Sequence, residues 1–289
     1  FFFEFMWFEK ELFIKFANVY KSGNYMANRK KNIKSKKSFS NQKNLSGKKG
    51  KRVSGTHKNI IKEDFLTSLI TKPYILIVVF TALIYGQALF FDFVNFDDNK
   101  IKNEVVNTIG GIENIHKVFS QSYGSFYRPL QTALFVFEKE VGGDDPFMYH
   151  LTNIILHLIT CIAIYLFFKK IKFNNFIAGT ASLIYSVHPM FTHSVVWIPS
   201  RGDVLLTLFT AMTFIWFINY IEKRDTKNLI LSWLGYFLAL LSKETAVMIP
   251  IVILAYYLLI IKKNIFTGKN MILAGGWIVV SIIWFLMRN

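Results

Sequence analysis

Seven apolar runs, at roughly Pro73 to Phe91, Leu151 to Phe168, Phe176 to Val187, Val204 to Ile221, Leu229 to Leu241, Val247 to Ile261 and Met271 to Met287, constrain this chain more than any other feature. About 20 apolar residues match the hydrocarbon thickness of a bilayer, and a helix satisfies its own backbone there. With 53% hydrophobic residues gathered in these blocks, an ordinary soluble domain is excluded. The pattern predicts an all-α polytopic membrane protein.

The charges between the runs sort into two alternating sets. Lys169, Lys170 and Lys172 occupy one connection, Lys223, Arg224 and Lys227 another, and Lys262, Lys263 and Lys269 a third. Positive charge is retained on the cytoplasmic side of membranes, so these connections are read as cytoplasmic. From Leu12 to Lys62 there is no acidic residue, and Arg29, Lys30, Lys31, Lys34, Lys36, Lys37 and further lysines stand among Ser, Asn and Gly. Residues 26–68 therefore read as a disordered basic cytoplasmic tail whose partners are anionic lipid headgroups rather than nucleic acid. The net charge of +16 is accounted for in the same way. Residues 1–25 are aromatic and irregular, and Met26 opens an ordinary bacterial N-terminal sequence, so 1–25 are read as a non-native upstream segment and the membrane as a bacterial inner membrane. Residues 69–289 form the membrane module, read as truncated at its C-terminal end.

The complementary connections are then external. The longest, residues 92–149, carries nine acidic residues against five basic ones. Within it Ile112 to Phe119 and Tyr127 to Val141 have helical spacing and predict short helices at the membrane surface. Two of the apolar runs, Phe176 to Val187 and Leu229 to Leu241, fall short of a full crossing before they meet His188 and Lys243. Ionisable groups at such depth are costly, which makes function their default explanation.

Five stretches carry the candidate chemistry. NFDDN sets Asp97 and Asp98 just past the first run, where one carboxylate can serve as general base and the pair leaves room for a divalent metal. A solvated acidic turn is the alternative. FYRPL adds Arg128. YHLTNIILH spaces His150, Asn153 and His157 at three and four residues, along one helix face, either lining a cavity or bonding neighbouring helices. HPMFTHSVVWIPSRGD packs His188, His193, Arg201 and Asp203 into one external connection, with Arg201 offering a fork for phosphate and Asp203 placed to orient it, unless the two merely pair. SKETA supplies Lys243 and Glu244, a phosphate-binding cation or a snorkelling lysine beside a capping glutamate. No glycine-rich phosphate loop, nucleophile elbow or zinc spacing occurs, and the single cysteine, Cys161, cannot form an intrachain disulfide.

In this order, across about Phe91 to Pro250, these stretches resemble the transmembrane and tetratricopeptide-repeat O-mannosyltransferases and their bacterial relatives, membrane glycosyltransferases of the GT-C fold. The resemblance implies a GT-C-like helical bundle that moves a sugar, with inversion, from a polyprenyl-phosphate donor to a hydroxyl of a protein or glycan on the external side; because the leaving group is a monophosphate, its charge requires no metal or other cofactor. It places the catalytic carboxylate at Asp97 or Asp98 and maps the family's H-P, R-x-D and K-E positions onto His188, Arg201 with Asp203, and Lys243 with Glu244. Arg128, His150, Asn153, His157 and His193 are then candidates for lining the cavity. A transporter or flippase, or a non-catalytic scaffold, is the competing reading.

Overall fold

The structure is a computed structural model that describes residues 73–94, 97–101, 107–120, 122, 126–262 and 268–288. The expected upstream segment and basic tail lie outside these residues. Each of the seven apolar runs forms helix. Helix α1 spans Pro73–Tyr85, the short α2 Asp97–Lys100, α3 Pro129–Gly142, α4 Pro146–Lys170, α5 Asn175–Val187, α6 Arg201–Lys223, α7 Thr226–Ser242, α8 Ile249–Tyr256 and α9 Gly268–Arg288. Five stretches, Pro73–Phe90, Pro146–Lys170, Ile198–Lys223, Glu244–Ile261 and Asn270–Arg288, are long and apolar enough to cross a membrane. The chain is an integral membrane protein. Helices α5 and α7 are shorter, at 13 and 17 residues, or about 20 and 26 Å against a hydrocarbon core of about 30 Å.

Local chemistry fixes where these helices begin. The Asp145 carboxylate accepts the Phe147 N–H at 2.9 Å and Pro146 fills the first turn of α4. Asn174 and Asp225 cap α5 and α7 in the same way, accepting from the Ile177 and Asn228 N–H groups. Such caps satisfy backbone donors that a helix start otherwise leaves unbonded. Arg224 ends α6 in the left-handed conformation, φ 58°, and Asp225 immediately starts α7, so the two helices pack as an antiparallel pair. Gly235 makes this closeness feasible, because a Cβ there would meet Thr213 Oγ1 at 2.6 Å and Trp216 at 2.9 Å.

The main core is built where α6, α7, α8 and α9 meet, around Phe217, Tyr236, Leu240, Ile253 and Trp277. The alternating direction of the helices puts the two sets of charges at opposite ends. At one end Lys170 pairs with Glu222 at 2.5 Å and Arg224 donates to Asn270 at 2.7 Å. At the other end gather α2, α3, the start of α4, the 188–200 connection and the 243–248 turn. Of the expected surface helices, Tyr127 to Val141 is α3, and Ile112 to Phe119 is a 3-10 turn, Ile112–Asn114, followed by the single helical turn Lys117–Ser120. Helix α3 is not a loosely laid surface element, since Gln131, Thr132, Phe135, Val136 and Glu138 are all buried.

Candidate active site

The acidic end is assembled on a small aromatic cluster. Phe135 of α3, Tyr149 of α4 and Ile198 pack together with Phe93 and Ile101, and the Phe93 ring meets Tyr149 edge-on at 5.4 Å. This cluster pins the irregular 91–94 segment and α2 against the bundle, and so sets the position of Asp98. The Asp98 side chain is 3% exposed. Its Oδ2 accepts the Val94 N–H at 2.8 Å, while Oδ1 is buried without a partner. Burial holds this carboxyl above the usual carboxylate range; the Val94 hydrogen bond works against that, and the neighbouring Asp97 charge adds to it. Asp97 is half-buried.

Asp98 lines a cavity of about 560 Å³ together with His150, His193, Thr192, Trp197 and Asp92. Three candidates scattered over the sequence are thus brought to one space. His150 sits in the first turns of α4, 3% exposed, and neither ring nitrogen has a partner. His193 is exposed, stacks at a tilt on Trp197 with centroids 4.6 Å apart, and its Nδ1 is hydrogen bonded with the Ser200 hydroxyl at 3.0 Å.

The remaining stripe of α4 does not face this cavity. Asn153 donates to the Val195 carbonyl at 3.0 Å, and His157 meets the Ser186 carbonyl at 3.2 Å between the rings of Tyr85 and Tyr185. Both are fully buried, so they bond neighbouring segments rather than line a cavity. The reason is packing: Asn153 is covered by the 188–200 connection through Val195, and His157 by the end of α5 through Ser186.

Arg201 departs from expectation most. Its guanidinium is fully enclosed; Nη1 donates to Glu138 Oε1 at 2.5 Å, Nη2 to the Tyr149 carbonyl at 3.2 Å, and its carbon lies 4.3 Å from the centre of the Phe135 ring. It therefore has no face for a donor phosphate, and Asp203 does not orient it. Asp203 pairs instead with Lys243, across the gap between the start of α6 and the end of α7. Glu244, one residue on, accepts from Arg128 Nε and from the Tyr127 N–H, each at 3.2 Å, and so clamps the start of α3. Gly202 lets these elements converge, since a Cβ there would meet Gln131 Oε1 at 2.7 Å and the Ser242 carbonyl at 3.2 Å. Lys243 and Glu244 stay partly open to solvent, and Arg128 stacks over the Phe126 ring at 4.2 Å.

His188 is exposed and its Nδ1 accepts the Met190 N–H at 3.2 Å. It stands at the head of an apolar groove of about 680 Å³ that descends between α4, α5 and α6 past Tyr185, Leu206 and Phe214 to Phe168. Among the described residues no group of three His, Cys, Asp or Glu side chains is gathered to hold a metal ion. Glu138, which the sequence presents only as one acid among nine in the long connection, is the residue of this end that the structure adds to the candidates. Its signal was present, because Gln131, Phe135 and Glu138 recur at helical spacing on the buried face of α3.

The family described as dolichyl-phosphate-mannose-protein mannosyltransferase matches residues 129–287, from the start of α3 to the end of α9. The chain belongs to this mannosyltransferase family. Within it, the chain is 30% identical over 196 residues to a protein O-mannosyl-transferase of Caenorhabditis elegans, covering 62% of this chain and 27% of that protein. It is 37% identical over 90 residues to protein O-mannosyl-transferase TMTC1 of Homo sapiens, 31% of this chain and 10% of that one. The Drosophila melanogaster Tmtc1 protein is 29% identical over 130 residues, 45% and 15% of the respective chains. The chain thus spans about a quarter or less of the length of these relatives. No solved structure matches it. The mannosyltransferase match takes in His150, Arg201 and Lys243, whereas Asp97 and Asp98 precede it.

Proposed function

We propose that this chain is the membrane module of a glycosyltransferase that moves a sugar, mannose on the family's name, from a polyprenyl-phosphate donor to a hydroxyl of a protein or glycan, on the non-cytoplasmic side of a bacterial inner membrane. The observation that carries this reading is Asp98: a buried carboxylate with an unpartnered oxygen, lining a cavity beside His150 at the acidic end of the bundle. A carboxyl with a raised pKa is a better proton acceptor than an ordinary aspartate, provided the working pH ionises it.

The reaction asks little of the protein beyond position and charge. The acceptor hydroxyl gives its proton to Asp98 Oδ1 as its oxygen bonds to the anomeric carbon from the face opposite the phosphate. The bond from that carbon to the phosphate oxygen breaks, and its electron pair leaves with the polyprenyl phosphate. The leaving phosphate gains negative charge, and a cation fixed beforehand lowers the barrier. Lys243 suits that role, being tethered by Asp203 yet partly open, with Arg128 held nearby by Glu244. Arg201 is a positioning residue in this scheme, joining α3 to α6 beneath the site. The apolar groove below His188 suits the polyprenyl chain, its length lined by aliphatic and aromatic side chains. A divalent cation held by Asp97 and Asp98 would supply Lewis-acid charge on the acceptor side of the sugar; no step above relies on it.

The test uses full-length protein in membranes with a radiolabelled polyprenyl-phosphate mannose. Label should pass into protein or glycan, and Asp98→Asn should abolish the transfer while leaving membrane insertion intact. A folded wild-type protein that transfers nothing from any such donor would favour a transporter or scaffold.

A further inference from the structure

We infer that His150 and Trp197 form a hydroxyl-reading subsite for the transferred hexose, which makes His150 a specificity-determining residue; this rests on the glycosyltransferase reading above. The argument starts from an imbalance. Buried polar groups in folded proteins almost always find a hydrogen-bond partner, and those that do not call for an explanation. His157, two turns further along the same helix and equally enclosed, keeps one nitrogen on the Ser186 carbonyl and leaves only Nδ1 unpartnered. His150 is 3% exposed and has no partner at either nitrogen. The difference between them is the cavity, which His150 lines and His157 does not.

Asp98 Oδ1, buried and unpartnered in the same space, is the atom that takes the acceptor's proton, so it borders this subsite and is not counted in it. An ionised carboxylate oxygen only accepts, whereas a neutral imidazole donates through one nitrogen and accepts through the other. A donor sugar satisfying both imidazole nitrogens must offer groups that donate and accept. Hydroxyls do this, and a hexose carries several on a compact ring. The apolar side of such a ring also needs a surface. Trp197, fixed against His193 at 4.6 Å, supplies a flat aromatic wall to the cavity. At about 560 Å³ the space lies within the roughly 300–1,000 Å³ common for small-molecule sites. The two carboxylate and imidazole positions come from elements over 50 residues apart in sequence, so the reading depends on the packing of the 91–98 segment against α4.

A site built around a substrate hydroxyl rejects the analogue that lacks it, because its own buried polar atoms are then left unpaired. The experiment compares polyprenyl-phosphate mannose with its monodeoxy analogues as donors for full-length wild-type protein and His150→Phe in membranes. In the wild type, removal of one ring hydroxyl should lower kcat/KM about 10- to 100-fold. In His150→Phe the parent and that deoxy donor should be used equally. A deoxy penalty undiminished in the variant, or no penalty at any position in the wild type, overturns the inference while leaving the glycosyltransferase reading standing. His150→Gln, which also donates and accepts, serves if the phenylalanine variant does not fold, and should keep part of the discrimination. Saturation-transfer NMR with methyl mannoside provides the independent arm. Contact that His150→Phe and Trp197→Ala abolish supports the subsite even where no transfer occurs, and a protein showing neither transfer nor contact overturns it.

Discussion

Removing the Glu138 carboxylate should destabilise this protein strongly at its acidic end, because it leaves the Arg201 charge enclosed with nothing to neutralise it. Arg201 is fully buried and its strongest contact is the 2.5 Å bond to Glu138. Breaking a buried pair from one side costs about 3–5 kcal/mol. The Tyr149 carbonyl at 3.2 Å and the Phe135 face at 4.3 Å would still hold the guanidinium, the latter worth about 2 kcal/mol when desolvated. The loss for Glu138→Ala should therefore fall near 3 kcal/mol, roughly a hundredfold in the folded-to-unfolded ratio. Replacing both partners, Glu138→Leu with Arg201→Met, removes the charges and keeps the volume, so it should cost about 1 kcal/mol or less. Equilibrium unfolding in mixed micelles, followed by tryptophan fluorescence, measures the wild type, Glu138→Ala, the double variant and its two single components, Glu138→Leu and Arg201→Met. A Glu138→Ala loss under about 1 kcal/mol, or a double variant as unstable as the sum of its parts, would refute the claim that the pair is a desolvated clamp joining α3 to α6.

The pH dependence of transfer tests Asp98. Its carboxyl is held above the ordinary aspartate value, chiefly by burial, so the base is lost on acidification at a higher pH than an exposed aspartate would be, and the rate rises with pH across that limb. Asp97→Asn removes one of the influences raising it and should move the acidic limb to lower pH; a limb that stays in place or moves upward counts against Asp98 as the base. Gly202→Val should cost about 1–3 kcal/mol and depress transfer, since its side chain collides with Gln131 and the Ser242 carbonyl; thermal melting of the purified protein reads the first effect. Lys243→Met should weaken donor use and flatten its salt dependence, measured as kcat/KM against ionic strength, with an unchanged salt slope speaking against a phosphate contact. Cysteines engineered at positions 98 and 243 should be labelled from the same side of the membrane, and opposite accessibility would end the single-site scheme.

Much of the architecture is written in the order of residues. Apolar blocks of membrane length, lysines in alternate connections and the Asp, Asn and Pro residues that start α4, α5 and α7 fix the helices and send the acidic connections to one end, because lipid tolerates few backbone arrangements and helix starts need local acceptors. Asp98, His150 and His193 stand in stretches that the alternation of lysine-rich and acidic connections assigns to one end of the bundle, the end at which the cavity lies.

What the sequence left open was pairing. Arg201 and Asp203 are two residues apart and look like partners, yet they lie about 200° apart around α6. One consequently turns inward to Glu138, 63 residues away, and the other toward Lys243, 40 residues away. Which charge is buried and which stays open depends on the rotation of each helix about its axis and on the depth at which its neighbours end. Those quantities are set by aromatic packing among Phe93, Phe135 and Tyr149 and by the close approach at Gly202. The same packing separates His150 from Asn153 and His157, which share its stripe on α4: three positions alike in spacing, of which only the shallowest reaches the cavity.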